Sequence, residues 1–267
     1  MIDTNNTVPS PQKGLLENGR YCREIGFLYS VCISGELFAT QAYSLMSLMP
    51  KDKNLIRKLL NEAQEELSHA CMLEKLGNKL DVPFANNILE PEWYTVLNYF
   101  KEKVRENDFI SCFIIQEVMM ESLAIVIYEV LSGDGTITDT ETAKLEKHIL
   151  QDEINHVDYG VDFLKQEIAK NPEQLHQKLK ETHDFVMPNL FNLARYDCTL
   201  TLNAMGVECG TFGAEDIGSD LDTLRLRALD RYISTLEAGG VNNDLISELL
   251  LNISGYSNKD SAASQRC

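Results

Sequence analysis

Two Glu-x-x-His motifs constrain this chain more than any other feature. They are Glu66-Leu67-Ser68-His69 and Glu153-Ile154-Asn155-His156, and each sits on an apolar stripe with helical spacing. The first stripe reads Leu55, Leu59, Glu62, Glu66, His69, Leu73 and Leu76; the second reads Leu145, Ile149, Glu153, His156, Gly160 and Phe163. Steps of three and four keep residues on one side of an α-helix, so these acids and imidazoles lie on the side that should face a core. Two further stripes carry acids in the same way. One is Ile25, Tyr29, Cys32, Glu36, Ala39 and Tyr43; the other is Ile110, Ile114, Glu117, Glu121, Ala124 and Tyr128.

An unpaired carboxylate in a protein interior costs several kcal/mol even after relaxation, and several close together cost more. Two divalent cations remove the difficulty, because their charge balances four carboxylates while each neutral imidazole gives a nitrogen to one ion. In chain order the inward groups are Glu36, then Glu66 with His69, then Glu121, then Glu153 with His156. One Glu from each of two helices and Glu-x-x-His from two others is the pattern of helix-bundle dimetal carboxylate sites. A single such motif in an acidic chain is usually a solvated helix pair. Two of them, each preceded by a helix with a mid-stripe Glu, require a common cause.

The remaining sequence agrees with an all-α chain. Stripes of 3.6-residue period predict helices over about 14–49, 54–78, 91–105, 108–131, 139–170, a further one from Pro172, and two near 221–237 and 243–253. Residues 1–13 and 255–267 are expected to be flexible tails around one domain spanning 14–254, with SGDGTITDT a loop and CGTFGAEDIGSD a break before the last helices. A net charge of −17 argues against nucleic acid and anionic membrane surfaces as partners. No apolar run is expected to approach the roughly 18 residues of a membrane span, and the start lacks a secretion signal, so a cytoplasmic protein is expected. Seven dispersed cysteines without a C-x-x-C pair are expected to be reduced thiols.

The segments ISGELFATQAY, EELSHACMLEKLGNKLDV, IIQEVMMESLAIVIY and DEINHVDYGVDFL resemble the aldehyde-deformylating oxygenases of cyanobacteria, which are ferritin-like di-iron enzymes. The resemblance implies a ferritin-like helical bundle with extra C-terminal helices. It also implies metal ligation and catalysis by Glu36, Glu66, His69, Glu121, Glu153 and His156. The implied cofactors are two iron ions, with manganese compatible with the same ligands, and O2 as co-substrate. The implied reaction cleaves a long-chain fatty aldehyde, held in an apolar channel, to a hydrocarbon and formate through a di-iron peroxide. The implied electron donor is of the ferredoxin type.

Glu62 and Glu117 stand one helical turn before ligands, where that family has apolar or small residues. Several readings stay open for them: they are protonated, bind metal, face a cationic substrate, or accept hydrogen bonds from Tyr29, Tyr43 or Tyr128. The third would make the enzyme an N-oxygenase of an amine or hydrazine. Iron oxidation or storage is a lesser alternative. Tyr43, Tyr128 and Asp152 are candidates to hydrogen-bond the ligands or to meet the substrate, the last as an acceptor for an imidazole N–H. Gln116 could reach the edge of the site but is read first as a packing neighbour, Met119 and Met120 are read as core filling, and His148, His176 and His183 as surface residues.

Overall fold

The computed structural model describes residues 15–133, 138–193, 199–207 and 221–257. The expected tail 1–13, the break at 209–220 and Cys198, Cys209 and Cys267 fall outside these residues, as do most of the 255–267 tail and the middle of the 132–140 loop. Among the described residues every regular element is a helix. They are α1 (Gly19–Met46), α2 (Lys53–Leu80), α3 (Pro91–Arg105), α4 (Phe109–Leu131), α5 (Thr140–Lys170), α6 (Pro172–Leu193), α7 (Thr199–Ala204), α8 (Leu221–Ala238) and α9 (Asn243–Ser257).

Capping chemistry sets most boundaries. The Asn18 side chain accepts from Arg20 N, so α1 starts later than expected. Asp52, Asp108 and Asp139 cap α2, α4 and α5 through their side-chain oxygens, each satisfying backbone N–H groups of a first turn. Pro91 and Pro172 open α3 and α6, where a missing N–H costs nothing. The predicted stop at Gly77-Asn78 does not occur. Gly77 stays helical because the Phe84 ring packs onto it, with a Cβ there falling 2.7 Å from the ring, and Asp81 takes the left-handed conformation instead, at φ 56°. Helix α7 was not expected, and α9 runs through Ser257, three residues into the predicted C-terminal tail.

Helices α1 and α2 form one long pair, α4 and α5 another, and the two pairs make a four-helix bundle. Helix α3 lies against α1, α6 against α3, α8 against α4 and α9 against α6. A polar layer divides the core. On one side are Phe38, Tyr43, Leu59, Trp93, Phe100 and Phe113; on the other are Ile25, Tyr29, Ile33, Leu73, Tyr128 and Ile149. Glu36, Glu66, His69, Glu121, Glu153 and His156 lie in sequence between these two sets on their helices.

Helix α4 departs from expectation in two ways. Its apolar window has a mean hydropathy of 1.9, so by length and composition it passes the test for a membrane span that no run was expected to meet. That window is 78% buried inside the bundle, which accounts for its composition without a bilayer. Its middle, Ile114–Met120, is a π-helix. This local widening, common at functional sites, ends one residue before Glu121.

Candidate metal centre

The six carboxylate and imidazole groups converge. Ligand atoms of Glu36, Glu66, His69 and Glu153 lie within 4.8 Å of one another, as do those of Glu66, Glu121, Glu153 and His156. Glu66 and Glu153 belong to both groups, so they stand between two sites that otherwise have one Glu and one His each. All six residues are buried. Both imidazoles turn Nδ1 inward. His69 Nδ1 is 3.4 Å from Glu66 Oε2, 3.5 Å from Glu36 Oε2 and 3.5 Å from Glu153 Oε1. His156 Nδ1 is 3.1 Å from Glu66 Oε1 and 3.9 Å from both Glu121 Oε1 and Glu153 Oε2.

The cluster fits two cations on its own geometry. Glu36 Oε2, Glu66 Oε1, His69 Nδ1, Glu153 Oε1 and His156 Nδ1 are buried and have no hydrogen-bond partner. Buried polar atoms are rarely left so, and five that face one another are a donor set for a metal. Mixed oxygen and imidazole ligation suits iron or manganese. Absent a cation, protons must supply the positive charge. Burial and the neighbouring Glu66 push Glu36 well above the carboxylate range, and burial and Glu153 do the same to Glu121. His69 and His156 are raised despite burial, chiefly through Glu153. A metal ion bound there would displace protons from these groups.

The surrounding residues orient this set. The Tyr128 hydroxyl donates to Glu36 Oε1, and Tyr43 donates to Glu121 Oε1 at 3.2 Å. Gln116 Nε2 donates to the same Glu121 oxygen at 2.6 Å, so Gln116 is more than a packing neighbour. The two residues are five apart, and the π-helix turns them to one side, where α-helical spacing would separate them. Asp152 Oδ2 lies 3.3 Å from His69 Nε2. The imidazole it reaches is on α2, across the bundle from its own helix.

Glu62 meets none of the tyrosines. Its Oε2 is 2.9 Å from His156 Nε2, and its other oxygen accepts from Lys58 Nζ. Burial opposes its ionisation, but the imidazole and the ammonium prevail and bring it down to about 2. Glu117 is fully buried with both oxygens unpartnered, and burial raises it to about 8. Tyr29 pairs with Thr142 at 2.6 Å instead.

Two buried residues escaped the sequence reading. Glu146 is 0% exposed, lacks any hydrogen-bond partner and is raised to about 8 by burial. His183, expected on the surface, is also 0% exposed, with Nδ1 3.3 Å from the Tyr232 hydroxyl. Its neighbours Glu181 and Asp184 give the segment a polar look, yet α6 turns His183 inward against α8. His148 is exposed and His176 is half-buried.

An apolar cavity of about 140 Å³ opens onto the centre between α1, α4, the end of α6 and the start of α8. Glu36, Glu66, Glu121 and Glu153 form its polar end, and Val31, Ala39, Trp93, Ala124 and Phe191 contribute to the apolar wall. Among the described residues that line it, Arg225 is the one other charged group. Neither Glu62 nor Glu117 lines it, which removes the motive for a cationic substrate.

Fold and site together define an all-α bundle with a buried carboxylate and imidazole cluster, of a kind suited to metal, beside an apolar cavity. A family model described as long-chain fatty aldehyde decarbonylase matches residues 20–205, and the chain belongs to that family. It is thus an enzyme of the oxidoreductase type, in a metal-dependent family. Among solved structures it is similar to a protein from Synechococcus described as having aldehyde deformylating oxidase activity. The identity is 18% and the TM-score 0.66, over 88% of this chain and 96% of that one. The fold is the expected ferritin-like bundle with added C-terminal helices.

Proposed function

We propose that the protein converts a fatty aldehyde to formate and a hydrocarbon one carbon shorter, using O2 and an external electron donor of the ferredoxin type. Atom and charge balance set the stoichiometry: one aldehyde, one O2, three protons and four electrons give one hydrocarbon, one formate anion and one water. Glu36 and His69 would hold one iron, Glu121 and His156 the other, with Glu66 and Glu153 shared between them. Two irons bound there supply the reduction and activation of O2. Manganese fits the same donors. Residues 14–254 act as one catalytic unit, and the reading carries with it a cytoplasmic location, where low-potential electron carriers operate.

This chain's own residues do the rest. The cavity wall takes the carbonyl end of the alkyl chain and excludes water, while the four carboxylates at its end would keep the metals beside the reacting carbon. Tyr128 fixes Glu36, and Gln116 and Tyr43 fix Glu121, so the carboxylates that face the cavity keep their orientation. The Nε2 contacts to Asp152 and Glu62 hold each imidazole with Nδ1 toward the metal.

The cavity carries this reading: it is apolar, it reaches four of the six candidate ligands, and it contains no spare acid for an amine or hydrazine. The same wall argues against iron storage, which needs a polar entry route. Anaerobic loading with Fe²⁺, followed by O2 and reductant, should yield formate and hydrocarbon in equal amounts from a long-chain aldehyde. Oxygenated nitrogen products from an alkylamine or hydrazine, with no formate from the aldehyde, would overturn the proposal.

A further inference from the structure

The solvent side of α2 differs from the rest of this acidic protein. Between positions 51 and 58 the chain carries Lys51, Lys53, Arg57 and Lys58 against Asp52 alone, within a net charge of −17. Lys53, Arg57, Leu60, Gln64, Leu67 and Cys71 are spaced by four and three and are all exposed, so they form one stripe along the helix. Leu60 and Leu67 expose 48% and 45% of their surface, and Leu48 in the preceding turn exposes 76%. The stripe therefore has an apolar middle and a basic end, as a docking surface with a charged rim does.

The opposite side of the same helix carries Leu59, Glu66, His69 and Leu73, all buried. One helix, about 10 Å across, is the whole barrier between this surface and the candidate metal ligands. A second short route lies beside it, since Lys58 bonds Glu62, and Glu62 reaches His156 Nε2 at 2.9 Å.

We infer that the outer face of α2, with Leu48, Lys51, Lys53, Arg57, Leu60 and Leu67, is the docking surface for a small acidic one-electron carrier protein. The inference rests on the proposed reaction, whose balance requires four electrons from outside. At each encounter the reduced carrier loses one electron to the metal centre and leaves oxidised, and four encounters serve one aldehyde. The net charge repels an acidic partner overall, and the basic end beside the exposed leucines offsets that repulsion locally and orients the carrier.

The test uses the iron-loaded full chain with Lys51→Glu, Lys53→Glu and Arg57→Glu combined, and separately Leu60→Asp with Leu67→Asp. Acidic residues suit a helix N-terminus, so the first variant should fold and keep its iron. A reduced plant-type [2Fe–2S] ferredoxin is one electron source, and dithionite with a phenazine mediator is the other. For the charge variant the KM for ferredoxin should rise about tenfold at low ionic strength and lose most of its salt dependence. Turnover with the mediator should be unchanged, and sedimentation should show weaker binding of oxidised ferredoxin to metal-free enzyme. Unchanged KM and binding in both variants would overturn the inference. So would a homodimer of the wild type that the leucine variant dissolves, or phosphatidylglycerol vesicle binding that the charge variant alone abolishes while ferredoxin kinetics stay the same. If the wild type releases no formate even with the mediator, the proposed reaction fails, and ferredoxin binding still reports on the surface.

Discussion

Gly160→Ala asks whether the contact between α5 and the π-helix holds the centre together. An added Cβ at Gly160 would fall 2.8 Å from the Glu117 carbonyl oxygen and 3.3 Å from both the Glu117 carbonyl carbon and Cβ. The obstacle is mainly backbone, so relief requires the π-helix to move. Overpacking of this kind costs roughly 1–3 kcal/mol. In an unobstructed helix the same substitution gains about 1 kcal/mol from backbone entropy and propensity. The expected outcome is a net loss of up to about 2 kcal/mol, or up to roughly 8 °C in the melting temperature of the metal-free protein, in place of the gain of an unobstructed site. Glu121 follows the π-helix by one residue, so Fe²⁺ affinity should fall as well. Gly35→Ala is the internal control, because its Cβ would meet Trp93 at 3.5 Å, an ordinary contact, and should be neutral or stabilising. Thermal unfolding and anaerobic Fe²⁺ titration read both quantities. If Gly160→Ala is stabilised like the control and binds iron normally, the packing reasoning is wrong.

Three further outcomes are expected. Glu117 and Glu146 keep their protons in the fold up to about pH 8, whereas the unfolded chain releases them near 4.5. The folded state therefore binds more protons across that window, and the metal-free protein should lose stability as pH rises through it, by at most about 5 kcal/mol per group. Glu146→Gln should flatten the pH dependence of the urea midpoint, and an unaltered dependence would clear Glu146 of the effect. Asp152→Asn and Glu62→Gln should each weaken Fe²⁺ binding about 10–100-fold by releasing His69 and His156 respectively, measured by equilibrium titration. Ala124→Phe should fill the cavity and depress hydrocarbon yield from long aldehydes more than from short ones; an unaltered chain-length profile by gas chromatography would place the substrate elsewhere.

What the sequence disclosed follows from its periodicity. Where a helix keeps a 3.6-residue repeat, as α1, α2 and α5 do, the inward acids and imidazoles could be read off their spacing. The expected convergence of Glu36, Glu66, His69, Glu121, Glu153 and His156 is seen in their geometry. The reading faltered where that repeat is broken or where burial extends beyond one stripe. The π-helix brings Gln116 onto Glu121, a register that no regular pattern announces. Glu146 lies beside Leu145, off the stripe as drawn, yet α5 is enclosed widely enough to bury it. Asp152 was recognised as an imidazole partner, but only the crossing of α2 and α5 shows that its imidazole is His69. The exposed leucines of α2 fit the alternation of a surface helix, so spacing alone does not mark them.

Sharing Glu66 and Glu153 has a consequence for how the centre fills. Neither half is complete alone, because each has just one Glu and one His of its own. A first ion bound there would cancel part of the repulsion among the acids and order both common carboxylates, so that a second would meet a prepared site. Occupancy should then be cooperative, with a Hill coefficient above one and little singly occupied protein at intermediate metal supply.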